Sequence, residues 1–191
     1  MTFPVPAVPS GEDALVARLR EGERAAVEET YLAHHVAVRA FARRLVGDES
    51  AAEDIVHDAF LALPRAVRRF RGEASLRSFV IGVAINVSRR HIRSAKRRRA
   101  ATERMAARED HNGHAADASE QLRNKQLASK LWAALDELPI EQRAVFVLCE
   151  AEQRTSVEVA QIIGIPEGTV RTRLFHAKRK LREKLGPKED L

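Results

Sequence analysis

The stretch between Thr155 and Leu185 carries polar side chains at spacings suited to hydrogen bonding with nucleic acid. Thr155 and Glu158 have the spacing of a capping box, which predicts that a short helix begins there. Gly164 and the two residues after it predict a tight turn, and a longer helix is expected from about Glu167 to Leu185. A short helix, a glycine turn and a longer helix make up the helix-turn-helix arrangement, in which the second helix can enter the major groove of DNA.

The longer helix is predicted to have one apolar side and one polar side. Arg171 and Thr172 lie on the polar side just past the turn, where base edges come within reach. An arginine can donate to two guanine acceptors at once, and a threonine can bond to a base or contact a thymine methyl group. The same side also presents Phe175, His176 and Arg179. Phosphate contacts, which position a protein without specifying sequence, suit Lys178, Lys180, Arg182 and Lys184.

A second set of basic side chains belongs to the helix predicted after Ser75. An apolar stripe in this helix is flanked at helical steps by Asn86, Arg89, Arg90, Arg93 and Arg97. A charge run is most often a solvated face, but no acidic residue lies between Arg89 and Arg99. A helix with one buried side and one asparagine and arginine side fits a polyanionic partner.

A third feature is acidic and lies earlier in the chain. Glu53, Asp54 and Asp58 share a predicted helix with apolar residues that include Phe60 and Leu61. An exposed mixture of carboxylates and apolar side chains suits a protein partner better than DNA. The alternative is that the two leading acids only favour a helix N-terminus electrostatically, and spacing leaves both open.

The elements that hold these side chains are predicted to be helices in two units. In residues 12–99, apolar stripes at steps of three and four indicate three long helices and a shorter one, with Gly47 ending the first long helix. Pro64 interrupts the second stripe, so a kink or break is expected there, and residues 71–73 are expected to form a loop. In residues 122–187, two helices precede the helix-turn-helix. The first ends before Pro139 and is lined by Leu127, Leu131, Ala134, Leu135 and Leu138.

Residues 100–121 are polar and contain Gly113, so they are predicted to be a flexible or weakly helical linker. Residues 1–11 hold three prolines and no basic segment, so they are predicted to be a disordered lead rather than a signal peptide. The expected fold is therefore all-α, with two small helical domains joined by a flexible linker. The second domain is expected to have four helices.

Composition narrows the function classes. The formal net charge of +6 favours a polyanionic partner, and the single cysteine, Cys149, excludes an internal disulfide and fits a reducing cytoplasm. No stretch approaches the roughly 18 apolar residues of a membrane span, so no membrane insertion is expected. We see no glycine-rich phosphate loop, paired nucleophile and base, or metal-ligand cluster, and His111 and His114 are expected to be solvated. The prediction is a protein that is not an enzyme and holds no cofactor.

Three segments resemble those of extracytoplasmic-function (ECF) sigma factors of bacterial RNA polymerase. Residues 52–60 (AEDIVHDAF) resemble their core-binding segment, and residues 75–86 (SLRSFVIGVAIN) resemble the segment that melts and recognises the −10 element. Residues 158–174 are similar to their −35-recognising helix-turn-helix. The chain departs from the family pattern at Phe79, where tryptophan is usual, and at His57, where glutamine is usual.

The resemblance implies partners and site residues. Residues 12–99 would bind core polymerase at its clamp through Asp54, His57, Asp58, Phe60 and Leu61. The same unit would bind the −10 strand through Arg71, Ser75, Phe79, Asn86, Arg89 and Arg93. Residues 122–187 would lie near the polymerase flap and bind the −35 duplex through Thr169, Arg171, Thr172, Arg173, Phe175, His176 and Arg179. An anti-sigma factor is a further expected partner, and the expected location is the cytoplasm, at the nucleoid when the protein is active.

Two other classes remain open at this point. A polymerase-independent regulator could use the same helix-turn-helix, usually as a dimer that recognises two half-sites. A sigma-like decoy could titrate a regulator without initiating transcription, although Arg171, Thr172 and Arg173 argue for a retained DNA surface. For residues 155–185 alone, the alternative to a DNA-binding helix-turn-helix is an antiparallel helical hairpin whose basic helix is only solvated.

Overall fold

The computed structural model describes residues 11–106 and 130–186, with side chains up to residue 92 in the first range. The described residues form helices and no strand. The first unit contains α1 (Gly11–Glu21), α2 (Arg24–Val46), α3 (Glu49–Ala66) and α4 (Leu76–Ala106). The second unit contains α5 (130–136), α6 (Ile140–Phe146), α7 (Ser156–Ile163) and α8 (Glu167–Leu185). The all-α prediction and the four helices of the second unit are confirmed.

The boundary between α2 and α3 follows from two local signals. Gly47 adopts a left-handed conformation with φ of 74°, and its N–H donates to the Arg43 carbonyl at 2.8 Å, which ends α2 as predicted. Asp48 then accepts a hydrogen bond from the Ala51 N–H at 2.7 Å and caps the start of α3. Together they reverse the chain within two residues, so that α2 and α3 pack against each other.

Of the kink or break expected at Pro64, the break does not occur. Helix α3 continues through the proline to Ala66 and then tightens into a 3-10 turn (Val67–Arg69). Leu63 and Val67 lie on either side of the proline, both are fully buried, and the Val67 N–H donates to the Leu63 carbonyl. Burial of the apolar stripe on both sides therefore keeps the chain helical despite the missing N–H. The loop predicted at residues 71–73 is confirmed.

Helices α2, α3 and α4 pack around one apolar core. Phe41, Leu45, Ile55 and Val80 are fully buried in it, as the periodic stripes predict. Thr30 and Ser88 are also buried, and both hydroxyl groups have hydrogen-bond partners. The Thr30 hydroxyl donates to the Ala26 carbonyl and the Ser88 hydroxyl donates to the Ala84 carbonyl, each at 2.7 Å.

In the second unit, α5 packs on the last turns of α8. The buried residues at this contact are Ala134, Leu135, Leu138, Ala177 and Leu181. Leu131, which was predicted to line the same side, is 37% exposed, and Leu127 lies outside the described residues. The second of the two helices predicted before the helix-turn-helix is present as α6, and it continues into a π-helical segment (Val147–Ala151).

The two units contact each other in this structure. Val145, Leu148 and Val159 of the second unit belong to the same continuous apolar cluster as the core of the first unit. The linker expected at residues 100–121 overlaps the end of α4, and residues 107–129 lie outside the described residues, as do residues 1–10. The conformation expected for the linker and the lead therefore remains a prediction.

Candidate nucleic-acid interface

The helix-turn-helix is fixed by a complete capping box. The Thr155 side chain accepts from the Glu158 N–H at 3.3 Å, and the Glu158 carboxylate accepts from the Thr155 N–H at 2.8 Å. The pKa of Glu158 lies below its usual range because its carboxylate accepts hydrogen bonds. The Thr155 backbone N–H contributes most, followed by the Thr155 hydroxyl and by Arg154. Gly164 ends α7 with φ of 73°, and its N–H donates to the Ala160 carbonyl at 2.8 Å. The capping box and the turn are both confirmed.

Helix α8 begins and ends where the sequence predicts, and it presents two distinct sides. Val170 and Ala177 are fully buried, whereas the Arg171 side chain is 70% exposed and Thr172 is exposed. The Arg171 guanidinium pairs with Glu167 one turn earlier at 2.6 Å. An exposed pair of this kind contributes about 0.5 kcal/mol or less, so the guanidinium can be released to a stronger acceptor at little cost.

The other residues predicted for the −35 surface differ in exposure. Phe175 is 60% exposed and contacts the His176 ring edge-on, with 5.6 Å between centroids. Arg179 is exposed, and Thr169 and His176 are half-buried. Arg173 is also half-buried, and its Nη1 is buried with no hydrogen-bond partner within the described part of the chain.

The lysines predicted to contact phosphates are mostly engaged within the protein. Lys178 pairs with Glu150 at 2.8 Å, and Lys184 pairs with Glu137 at 2.9 Å, which lowers the pKa of Glu137. Lys180 donates to the Glu137 carbonyl at 2.9 Å. These contacts tie α8 to α5 and to the π-helical segment. The phosphate contacts suggested for these lysines stay a prediction, and the same side chains also hold α8 in place.

A groove of about 790 Å³ lies beside α4, and we call it the α4 groove. One side is the loop after the 3-10 turn, the floor is the start of α4, and the opposite side is the end of α7 in the second unit. The predicted −10 residues that line it are Arg71, Phe79 and Asn86. Its shape and its mixture of aromatic and polar groups suit an unstacked base.

Phe79 and Asn86 occupy different depths of this groove. Phe79 is half-buried and packs on Phe70, with 5.0 Å between ring centroids. Asn86 is exposed, and its side-chain carbonyl accepts from Arg89 Nη1 at 2.8 Å. Arg89 Nε also approaches Glu141 of the second unit at 3.4 Å. Asn86 and Arg89 therefore present one side-chain amide and one guanidinium, and the guanidinium already contacts Asn86 and Glu141.

Ser75 and Arg93 stand apart from this group. Ser75 is exposed, its hydroxyl donates to the Ser78 hydroxyl at 3.0 Å and it accepts from the Ser78 N–H at 3.3 Å, so it stabilises the start of α4. Ser75 is absent from the groove lining. The side chain of Arg93 lies outside those described.

Sequence analysis missed two basic residues of the groove. Arg65 and Arg69 are exposed and line it next to Arg71. The adjacent turn is fixed by Arg20 of α1, which donates to the Phe70 carbonyl at 2.7 Å. The signal was present in the sequence as four arginines within residues 65–71, on the flank of the predicted loop.

The acidic segment on α3 divides into surface and core. Asp54 and His57 are exposed, and Leu61 is 66% exposed. Asp58 is half-buried and bonds to His91 Nε2 of α4 at 2.9 Å. Phe60 is buried and meets the edge of Tyr31 at 5.0 Å between centroids, so its place is in the packing beneath this surface.

Two exposed apolar residues of α2 were not predicted. Leu32 and Val36 are 67% and 69% exposed, and α2 packs on α3. They follow Tyr31, the residue that contacts Phe60. We call Leu32, Val36 and Leu61, with Asp54 and His57, the α2/α3 surface.

Other kinds of site receive no support from the geometry. Among the side chains of residues 11–92 and 130–186, no three His, Cys, Asp or Glu lie close enough to hold a metal ion, and His111 and His114 lie outside these ranges. None of the helices that the structure describes is long and apolar enough to cross a membrane. Cys149 is half-buried against the core, and burial raises the pKa of its thiol.

Comparison with known proteins yields two family matches. The model described as Sigma-70 region 2 matches residues 30–98, and the model described as Sigma-70, region 4 matches residues 128–181, so the two span more than half of the chain. The RNA polymerase sigma-H factor of Pseudomonas aeruginosa is 26% identical over 182 residues, which cover 92% of this chain and 94% of the relative. The ECF RNA polymerase sigma factor SigM of Mycobacterium tuberculosis is 29% identical over 165 residues, which cover 86% and 80%.

A solved structure shows the same fold. It is that of the sigma factor RpoE in complex with the anti-sigma factor NepR from Bartonella quintana, with a TM-score of 0.52 and 23% identity. The match covers 83% of this chain and 95% of that one. The order of the two matched regions is the order of the two helical units described above.

Proposed function

The chain belongs to the sigma-70 family as an ECF-type RNA polymerase sigma factor, and from that premise we propose how its surfaces divide the work of transcription initiation. Sigma factors are initiation factors rather than enzymes. We propose that this protein binds core polymerase, recognises the −35 and −10 promoter elements and promotes melting of the DNA. The observation that carries the proposal is the exposed polar side of α8, which follows a capped α7 and lies within the matched region 4.

Recognition of the −35 duplex is assigned to Arg171 and Thr172. Both are exposed at the N-terminal end of α8, the part of a recognition helix that contacts base edges. Val170 and Ala177 hold the opposite side of the helix in the core, so its orientation is fixed before DNA binds. Arg179 and Phe175 extend the same exposed side towards the middle of the helix.

Recognition of the −10 element is assigned to the α4 groove. An unpaired base can stack on Phe79 while Asn86 bonds to its edge, and Arg65, Arg69 and Arg71 lie where they can meet the strand's phosphates. Unstacking a base costs a few kcal/mol, which aromatic stacking of about 1–3 kcal/mol per base can largely offset. Ser75 supports the start of α4, and Arg93 is included for its place four residues after Arg89 in the sequence.

Core polymerase binding is assigned to the α2/α3 surface. Exposed large apolar side chains flanked by carboxylates are typical of a protein interface, and Leu61 shares one face of α3 with Asp54, His57 and Asp58, which precede it by seven, four and three residues. Phe60 and the bond between Asp58 and His91 keep this surface rigid. The expected target is the clamp of polymerase, while the second unit lies near the flap and the linker threads towards the active-site cleft.

An anti-sigma factor is proposed as the regulatory partner. The structural neighbour RpoE is seen in complex with the anti-sigma factor NepR. The proposed location is the cytoplasm, with association to the nucleoid during initiation.

The core-binding assignment is tested by Leu61→Asp. Placing a charge in the middle of an apolar contact should weaken binding to purified core polymerase by about 2 kcal/mol or more, roughly 30-fold. The matched control is Ala17→Asp, an exposed apolar residue on α1, which should leave binding unchanged. Fluorescence anisotropy with labelled protein measures both. Equal affinity of the Leu61 variant and the wild type would contradict this assignment.

A further inference from the structure

The loop between the 3-10 turn and α4 is bonded at both of its ends to helix α1. It comprises residues 70–75, most of which line the α4 groove. At one end, the Arg20 guanidinium donates to the Phe70 carbonyl at 2.7 Å. At the other end, the Glu12 carboxylate accepts from the Leu76 N–H at 2.6 Å. One helix, which is not among the described elements that line the groove, thus holds both ends of the loop.

The charge of each side chain matches the backbone group that it binds. The Leu76 N–H is among the first N–H groups of α4, which have no acceptor within the helix, and the helix dipole favours a carboxylate there. The first turn of α4 contains no acidic residue, so Glu12 supplies that negative charge from another helix. The Phe70 carbonyl follows the 3-10 turn, and a guanidinium is a strong donor to such a group. Arg20 Nε also approaches the Val67 carbonyl at 3.5 Å.

Helix α1 is itself fixed on the first unit. Val16 and Leu19, which lie between the two bonding residues in the chain, are both buried in the core. Arg18 pairs with Glu29 of α2 at 2.8 Å, which adds a polar contact to the apolar one. The two bonding residues are eight positions apart, a separation of about 12 Å along a helix axis. Because α1 is a packed helix, it keeps the two ends of the loop at a set separation.

The loop has few hydrogen bonds of its own to fix its conformation. Within the described part of the chain, no backbone–backbone hydrogen bond joins residues 71–74 to any other residue. Gly72 has φ of 75°, a left-handed conformation that glycine adopts at little cost. Arg71 and Glu73, on either side of it, are exposed and line the α4 groove. Where these two side chains point therefore depends on how the ends of the loop are held.

We propose that Glu12 and Arg20 are positioning residues for −10 recognition. By holding the two ends of loop 70–75, they determine which base the α4 groove accepts, and they do so without contacting the DNA. The proposal rests on the function proposed above for this groove. A carboxylate repels the phosphates of a strand, so removing Glu12 should strengthen strand binding if only its charge matters. If Glu12 positions the loop, its removal lowers the discrimination between bases instead.

Glu12→Ala in the full-length protein, assembled with core polymerase, tests the proposal. Initiation is measured on promoter fragments randomised in the −10 element. Discrimination, which is typically about tenfold to a hundredfold per base pair, should fall towards unity at the position that the loop recognises. Glu12→Gln keeps an oxygen that can accept from the Leu76 N–H, so it should retain most of the discrimination. Glu21→Ala removes the same charge from an exposed position on the same helix and should change nothing.

Arg20→Ala tests the other end of the loop in the same assay. It should lower discrimination at the same position, whereas loss of a direct phosphate contact would lower initiation equally for every base. Arg20→Lys keeps one charged donor and should retain part of the discrimination. The matched control is Arg24→Ala, which removes an exposed arginine at the start of α2.

Hydrogen exchange of the free full-length protein, followed by mass spectrometry, gives a second readout. In Glu12→Ala and Arg20→Ala, exchange in residues 70–76 should be at least about tenfold faster, as expected when a hydrogen bond to a charged group is lost. Faster exchange with an unchanged base preference would overturn the proposal, and so would an equal loss of discrimination in Glu21→Ala. Failure of the proposed function itself is seen separately, as absence of initiation by the wild-type protein with core polymerase.

Discussion

The two DNA surfaces of this protein differ in what builds them. The −35 surface is one side of a single helix, α8, whose start follows a capping box and a glycine turn a few residues earlier. The α4 groove draws on α3, a loop, α4 and the end of α7, which come from residues 62–164 of the chain. One surface is exposed in the structure, and the other is closed on one side by the second unit. A surface built from one helix is present as soon as that helix packs, whereas a composite surface also depends on how distant elements meet.

The largest expected effect on either DNA surface comes from combining Asn86→Ala with Arg89→Ala, which changes the α4 groove and leaves the −35 surface intact. Losing one neutral and one charged hydrogen bond should weaken −10 strand engagement by about 3 kcal/mol, roughly 100-fold. Binding to core polymerase should not change, because neither residue belongs to the α2/α3 surface. Permanganate reactivity of promoter thymines in the presence of core measures melting.

The same double change also removes the contact of Arg89 with Glu141, which should weaken the packing of the second unit on the first. Loosening the contact between the two units should favour strand binding, so a loss of melting in this variant could not come from the lost Arg89–Glu141 contact. Arg90→Ala, which removes an exposed arginine from the same turn, is the control for loss of charge. Normal melting by the double variant would show that the α4 groove does not bind the −10 strand through Asn86 and Arg89.

Arg171→Ala is expected to have the next largest effect, confined to the other surface. If the guanidinium binds a guanine, duplex affinity at the −35 element falls by about 1–3 kcal/mol and selectivity relaxes at one position. Arg171→Lys keeps the charge but cannot donate two parallel bonds, so it should retain affinity for random DNA and lose the selectivity. Competition binding with a library of −35 duplexes measures both. A variant with unchanged preference at every position would show that Arg171 does not recognise a base.

Thr155→Ala should have the smallest effect and should act through stability rather than through contact. Losing the hydroxyl that accepts from the Glu158 N–H should lower the free energy of unfolding by about 1 kcal/mol. Thr155→Ser keeps the hydroxyl and should restore most of that loss. Urea unfolding followed by circular dichroism gives the comparison, and the second unit should show more of the change in hydrogen exchange than the first. Equal stability of all three proteins would mean that the capping box does not stabilise α7.

The elements that the sequence predicts correctly are those set by local signals, whereas features that depend on packing between distant residues are predicted less well. The ends of α2 and α8 and the turn at Gly164 were predicted because glycines and caps act over a few residues. The break considered at Pro64 does not occur because burial of its neighbours outweighs the missing N–H, which the proline alone does not reveal. Leu131 fits an apolar stripe, yet the structure leaves it 37% exposed, which the stripe alone does not reveal.

The candidate sites divide in the same way. Arg171 and Thr172 could be assigned from their position after the turn, and the structure leaves both exposed. The contact of Gly82 with the Ile162 carbonyl could not be predicted, because it joins residues 80 positions apart in the chain. Phe60 belongs to the apolar stripe that α3 buries, whereas Leu61 lies off that stripe, so helical periodicity already separates the core residue from the surface one.

The central claim is that this chain directs core polymerase to promoters, and reconstituted transcription tests it most directly. Purified core polymerase is incubated with the protein and a library of promoter fragments, and run-off transcripts are sequenced. The account predicts co-elution with core and initiation at defined start sites that share −35 and −10 elements, with initiation lost in the variant of Asn86 and Arg89. Specific DNA binding with no dependence on core would indicate a regulator, and core binding without initiation would indicate a decoy; either result would contradict the account.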